Sequence, residues 1–345
     1  MNDPSSQTLR SSHGVPVAWH VRSDVGRVRS NNEDAWGARW LPDGSLLLVV
    51  CDGMGGHEAG EVASNLAVEV ISNVILHSDT TTPQAALYEA LIAANQAIVD
   101  ESRNAGRRGM GTTAIVALVR GREVYAGLVG DSRMYHVRRG NVALRTVDHT
   151  RVQSLVDRGE IRREDAREHP DAGMLTRALG HARMSNGLSL VPEVFAEAIH
   201  LEDGDAIVLS SDGMHDLIED WEVAATIAGE TPDRAAEALV DLALDRGGHD
   251  NCTVALLTIG ERASAYDASF SEPMLPSEGA VDVDMDGPTV DESRRGERLV
   301  VQEVPAKKRD DQLLLMALVA GIFLLAVSVA LMTGIWFMYA REGAP

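Results

Sequence analysis

Asp52, Asp131, Asp212 and Asp250 each stand where an apolar run meets a tight turn, in "SLLLVVCDGMGGHEAG" (45–60), "LVGDSRMY" (128–135), "DAIVLSSDGM" (205–214) and "GGHDNCTVALL" (247–257). Taken singly, each is an ordinary turn or cap residue, because Asp folds back onto local backbone and Gly tolerates positive φ. The chain carries its own comparison: "PDGSLLLVVCDGM" (42–54) is echoed by "EDGDAIVLSSDGM" (202–214). Asp43-Gly44 and Asp203-Gly204 precede the apolar runs and read as hairpin turns, whereas Asp52 and Asp212 stand where the strands stop. An acid at a strand's rim points past the sheet, so several such strands can bring several carboxylates to one place.

Crowded carboxylates repel unless cations neutralise them. Oxygen donors without adjoining Cys or His sets suit Mg²⁺ or Mn²⁺ rather than zinc. Two such ions about 3.5–4 Å apart lower the pKa of a shared water and hold a phosphoryl group for in-line attack. A phosphate also needs a cationic fork for its non-bridging oxygens, which an Arg supplies. "GRVRSNNEDAW" (26–36) offers Arg29 close to Glu33 and Asp34, although alone this segment reads as a solvated charged turn.

The elements that must position these groups come in blocks. Residues 61–76 and 83–103 carry apolar side chains at helical spacing, the second after Thr82 as N-cap with Pro83 in its first turn. Residues 113–147 give short β-rich runs broken by "RGRE", "GDSR" and "RRGN", the pattern of antiparallel hairpins. An irregular charged stretch, 148–190, is followed by strands over 193–201 and 205–211, a helix over 233–247 and a last strand over 252–260. Strands grouped with strands and helices with helices predict an α+β layered fold rather than a doubly wound parallel sheet.

The formal charge of −21 excludes a nucleic-acid partner bound through clustered Lys and Arg. The two cysteines, Cys51 and Cys252, exclude a disulfide scaffold and a multi-cysteine zinc module, and read as small core residues in a reducing compartment. Residues 1–14 read as a flexible N-terminus without a signal-peptide core, and 15–262 as the folded body. Residues 263–311 read as an acidic linker ending in the basic "KKR" (307–309). From Gln312 to Ala340, 29 residues pass without a charge, where about 20 suffice for a transmembrane helix. The flanking charges predict a cytoplasmic body tethered to the inner membrane by one C-terminal span.

Across about 20–260, "RSNNEDAW", "CDGMGGHEAGEVAS", "GMGTTA", "GDSRMYHVRRG", "DHTRVQSLVDRGEI", "LTRALG", "LSSDGMHDLI" and "GGHDNCTVAL" follow one another in an order that resembles the bacterial metal-dependent, type 2C serine/threonine protein phosphatases. The resemblance implies a central antiparallel β-sandwich flanked by helix pairs. It also implies two Mn²⁺ or Mg²⁺ ions, with Asp52 bridging them, the Gly53 carbonyl on one, and Asp212 and Asp250 on the other. Glu33 and Asp34 would orient waters, Arg29 would grip the substrate phosphate, and Asp131 would help bind a weaker third ion. Two positions depart from the family: Met54 stands where many eukaryotic members place a His that protonates the leaving alkoxide, with His57 three residues on as a substitute, and Gly173 falls where some bacterial members have a Ser beside the third metal.

The function implied is hydrolysis of phosphoserine and phosphothreonine on proteins, opposing a cognate Ser/Thr kinase at the membrane. Three alternatives stay open at this level. The chain could be a regulatory phosphatase of one dedicated signalling partner, a pseudophosphatase that binds phosphoproteins, or a hydrolase of small phosphorylated metabolites.

Overall fold

A continuous apolar run such as Leu46–Val50 is what a strand needs when both of its faces are covered. The computed structural model describes residues 6–79, 81–104, 109–181 and 189–260. In chain order these form β1 (Ser6–Ser12), β2 (Val15–Asp24), β3 (Asp34–Trp40) and β4 (Leu46–Met54), then helices α1 (His57–His77) and α2 (Pro83–Asn104). Next come β5 (Gly111–Thr112), β6 (Ala114–Arg120), β7 (Glu123–Val129), β8 (Arg133–Arg138) and β9 (Asn141–Arg145), followed by α3 (Arg151–Asp157). The remainder comprises β10 (Glu193–Val194), β11 (Ile199–His200), β12 (Ala206–Ser210), α4 (Asp212–His215), α5 (Asp220–Ile227), α6 (Pro232–Asp245) and β13 (Cys252–Ile259).

One sheet runs β1-β2-β13-β12-β8-β9 and the other β10-β7-β6-β4-β3, with β11 also on β7 and β5 on β4. Every strand pairing is antiparallel. Side chains alternate along a strand, and here both sets are buried. Leu46, Leu48 and Val50 of β4 pack between the sheets, whereas Leu47, Val49 and Cys51 pack under α1 and α2. On the other sheet, Ala255, Leu257 and Ile259 of β13 face the sandwich interior while Cys252, Val254 and Leu256 face α5 and α6. The result is four layers, α-β-β-α, the sandwich between helix pairs expected above. Cys51 and Cys252 are free, buried, and in different layers.

Asp43-Gly44 closes the β3–β4 hairpin as read, with Gly44 at φ +85°, whereas Asp203-Gly204 turns the chain (Gly204 φ +87°) from β11 on one sheet to β12 on the other, so the second turn is a crossover between sheets and not a hairpin. Other boundaries shift for local reasons. Helix α1 begins at His57 rather than 61, because Gly56 (φ +90°) turns the chain and its carbonyl at once accepts the Ala59 and Gly60 amides. By length and composition Glu58–His77 is apolar enough to cross a membrane, yet Ala63, Ala67, Ile71 and Ile75 pack on the sheet as a core stripe. The strand expected over 193–201 is broken: Val194 lies opposite Gly127 but Ile199 opposite Val124, so extra residues bulge out, and the Gln84 side chain of α2 holds the Ala196 carbonyl. Residues Ser6–Ser12, assigned to a flexible extension, form β1 against β2. Helix α5 was not foreseen; it starts on a capping box between Glu219 and Glu222. The linker after Gly260 and the span 312–340 lie outside the described residues.

Asp205 pins the far end of β8. It is 1% exposed and accepts from Arg138 Nη2 (2.7 Å), the Glu202 amide (2.8 Å) and His136 Nε2 (2.8 Å). Burial opposes its ionisation, but the Arg138, Glu202 and His136 donors outweigh that and hold its pKa below the usual carboxylate range. Asp205→Ala is therefore expected to cost about 3–5 kcal/mol at pH 7, the scale for breaking a buried pair. Because the native pKa is depressed, this difference is fully present above the unfolded value of about 3.9 and closes as pH falls through the native pKa. Urea titrations of both proteins at pH 7 and pH 3 would check it.

Candidate active site

The antiparallel order puts the C-terminal ends of β4, β7 and β12 and the N-terminal ends of β3 and β13 at one rim of the sandwich. Asp52 lies on β4, Asp131 just past β7, Asp212 just past β12, and Asp250 just before β13. Asp34, first residue of β3, sits directly opposite Asp52 across the β3–β4 pair. A cavity of about 950 Å³ opens at this rim, lined by Arg29, Glu33, Asp52, Gly53, Asp131, Asp212 and Asp250. Asp34 is the one expected site residue not on its wall; it is 1% exposed, with Oδ2 accepting from Ser211 and Thr253 hydroxyls, both at 2.7 Å. A second cavity of about 580 Å³ shares Asp131, Gly173 and Asp212 with the first.

The backbone around these groups is tightly tied. The Asp52 amide donates to Thr113 Oγ1 (2.9 Å), itself paired with Ser132 Oγ (2.6 Å), and the Asp52 carbonyl accepts from the Thr113 amide (2.9 Å). The Gly53 amide donates to the Glu33 carbonyl at 3.1 Å. Arg29 reaches from the 25–33 loop to donate through Nη2 to Asp250 Oδ2 at 2.7 Å. Asn251 was missed from the sequence, where it reads as the polite neighbour of Asp250. Its Oδ1 accepts the Glu33 amide (2.7 Å) and its Nδ2 donates to the Val25 and Asn31 carbonyls (both 2.9 Å), so one buried side chain clamps the loop that carries Arg29 and Glu33. Asn251→Ala would remove all three of these hydrogen bonds at once. The expected cost is about 2–4 kcal/mol in urea unfolding, with KM raised more than kcat lowered because the loop presenting Arg29 loosens.

Electrostatics set this rim apart. Burial, then repulsion from Asp212, Asp34 and Asp131, pushes the Asp52 carboxyl well above its ordinary pKa. Burial, then Asp131 and Asp216, does the same to Asp212. Burial and the nearby Asp148 raise Asp131 to about 7. Asp34 is raised to about 6 by burial, against the opposing Thr253 and Ser211 hydrogen bonds. One buried oxygen of Asp34 and one of Asp212 have no hydrogen-bond partner among the described residues. Such a set, all hard oxygen and short of counter-charge, fits hard dications. No three ligating side chains among the described residues close on one point tightly enough to hold an ion unaided. Mg²⁺-like ions do not require that, since they keep several waters and take one or two carboxylates each.

Four layers with a carboxylate cleft and an Arg at one rim of the sandwich make a phosphohydrolase architecture. The protein phosphatase 2C description matches residues 25–252. A putative 2C-type protein phosphatase of Streptococcus pyogenes serotype M6 is 35% identical over 242 residues, covering 69% of this chain and 95% of that protein. The serine/threonine phosphatase PstP of Mycobacterium tuberculosis is 35% identical over 292 residues, 83% of this chain but 52% of PstP, so the chain spans about half of that relative. A crystal structure of the PstP catalytic domain in complex with two manganese ions is similar at a TM-score of 0.62 and 34% identity, covering 72% of this chain and 99% of that one. The chain belongs to the protein phosphatase 2C family and is a protein phosphatase.

Proposed function

We propose that the chain hydrolyses phosphoserine and phosphothreonine on proteins, using two Mn²⁺ or Mg²⁺ ions held by Asp52, the Gly53 carbonyl, Asp212 and Asp250. The observation that carries this reading is the convergence of Asp52, Asp131, Asp212 and Asp250 with Arg29 on one cavity. When bound, two hard dications would supply an acidified water and neutralise phosphoryl oxygens. The chain's own residues do the rest. Arg29, half exposed at the cleft and oriented by Asp250, presents guanidinium donors to the non-bridging oxygens. Glu33, on the cavity wall, would order water at the rim, with Asp34 buried behind the wall as further negative charge. Asp131, on the same wall, would hold a weaker third ion, with Gly173 adding no side chain there.

The manganese in the PstP catalytic domain and the serine/threonine phosphatase names of the relatives support this reading. The apolar stretch 312–340 and the basic residues before it support a membrane tether with the catalytic body cytoplasmic, placing the enzyme beside a membrane Ser/Thr kinase that it opposes. Turnover of a phosphoserine peptide and of ATP at matched Mn²⁺, with EDTA as control, tests the reaction. Peptide turnover that stops with EDTA is expected. Turnover of the nucleotide alone would favour a metabolite hydrolase, and no turnover of either would favour a phosphoprotein-binding module.

A further inference from the structure

A serine or threonine alkoxide is a poor leaving group, so cleavage of its P–O bond calls for a proton donor within the cleft. Arg29 and Arg177, both on the cavity wall, hold their protons too tightly to serve. Met54, also on the wall, has none to give. Of the described imidazoles near the site, His149 is engaged by the Gly130 amide and Glu193. His215 is buried against Ser210, which drives it towards the neutral form. His249, directly before Asp250, is exposed but is not on the cavity wall, whereas His181 is exposed and lines the catalytic cavity together with Met54, Gly55 and Gly56.

Its position is built in. Leu179 exchanges backbone hydrogen bonds with Thr112 (3.1 and 2.9 Å), and the Gly180 amide is held by Asn95 Oδ1 at 2.9 Å. This ladder lays the His181 ring over Gly111, where a Cβ would stand 3.2 Å from Cε1 and 3.5 Å from Nδ1. Gly111 in turn pairs with Met54 across β4–β5. The same Cβ would stand 2.8 Å from the Leu179 carbonyl oxygen, so glycine at 111 leaves room first for the Leu179 backbone and then for the imidazole, which comes from a distant segment to the strand pair that holds Met54.

We propose that His181 is the general acid of the reaction, giving its ring proton to the serine or threonine oxygen. This rests on the phosphatase reading above. As the water oxygen bonds to phosphorus, the P–Oγ bond breaks and its electron pair takes the imidazolium proton, so the product leaves as a neutral alcohol. Of the water's two protons, one stays on the product phosphate and one passes to solvent. The neutral imidazole regains a proton from solvent.

The test is a leaving-group series on the 345-residue chain with Mn²⁺: a phosphoserine peptide, phenyl phosphate and p-nitrophenyl phosphate. For His181→Gln the expected kcat loss is about 100-fold or more on the peptide, shrinking to about fivefold or less on p-nitrophenyl phosphate, whose anion leaves unaided. Added imidazole should restore part of the peptide activity of His181→Ala. An equal loss on all three substrates, or no loss on the peptide, overturns the proposal, as does a graded loss in His57→Gln that His181→Gln lacks. Failure of the wild-type chain to hydrolyse any of the three would instead sink the phosphatase reading.

Discussion

Asp52→Asn is expected to lower kcat on a phosphoserine peptide by about 1,000-fold or more, the upper end of what one preorganised electrostatic group supplies. The substitution keeps the side chain's size. It also spares the backbone bonds of Asp52, whose amide and carbonyl are tied to Thr113. What it removes is the charge at the centre of the cluster, the one that Asp212, Asp34 and Asp131 all oppose. A second outcome follows from the same fact. Burial and the neighbouring carboxylates make ionisation of Asp52 costly in the metal-free fold, so Asp52→Asn should melt higher than wild type in EDTA at pH 7, by about 2–4 °C per kcal/mol of that cost relieved. The sign follows from the raised native pKa: the cost is borne above the unfolded pKa and vanishes in acid. Loss of activity with a gain in metal-free stability is the signature of a charge kept for function.

Gly53→Ala should also damage the enzyme, for a steric reason. A Cβ at 53 would run into the Gly60 carbonyl oxygen and stand 2.5 Å from the Glu33 carbonyl oxygen. Both obstacles are backbone, one in the first turn of α1 and one immediately before β3, so neither can rotate away. Overpacking that moves backbone costs about 3 kcal/mol, and the shift falls on the segment carrying Asp52 and on the loop carrying Glu33. The expected result is a lower urea midpoint together with a kcat fall of about 100-fold or more, the sensitivity of catalysis to misplacement near 1 Å. Normal stability and turnover would show that the strand and loop are not packed as described.

How much of this was visible in residue order depends on whether the cause is local. The four rim acids could be found because each ends or begins an apolar run whose length is set by burial on both faces, as in Leu46–Val50 and Cys252–Ile259. The Asp-Gly turns were likewise legible, since positive φ at Gly44 and Gly204 is a property of two residues. Asn251 was not, because its importance lies in groups at 25, 31 and 33 that only the closed sheet brings to it. The bulge after Val194 depends on the register of β7, and β1 depends on pairing with β2 rather than on any apolar pattern of its own. His181 reaches Gly111, the strand partner of Met54, through the Thr112–Leu179 bridge, which residue order does not show. Propensity marked the walls of the site, and tertiary register chose what lines them.

The proposed reaction depends above all on a pair of dications shared by carboxylates from separate strands at one rim of the sandwich. Calorimetric titration of the 345-residue chain with Mn²⁺, run beside a phosphoserine assay, tests it most directly. Two ions per chain should bind tightly, ahead of any weaker third, turnover should rise with their occupancy, and Asp52→Asn should lose both together. Full Mn²⁺ binding retained in Asp52→Asn, or turnover by wild type that survives complete removal of divalent ions, would contradict the account.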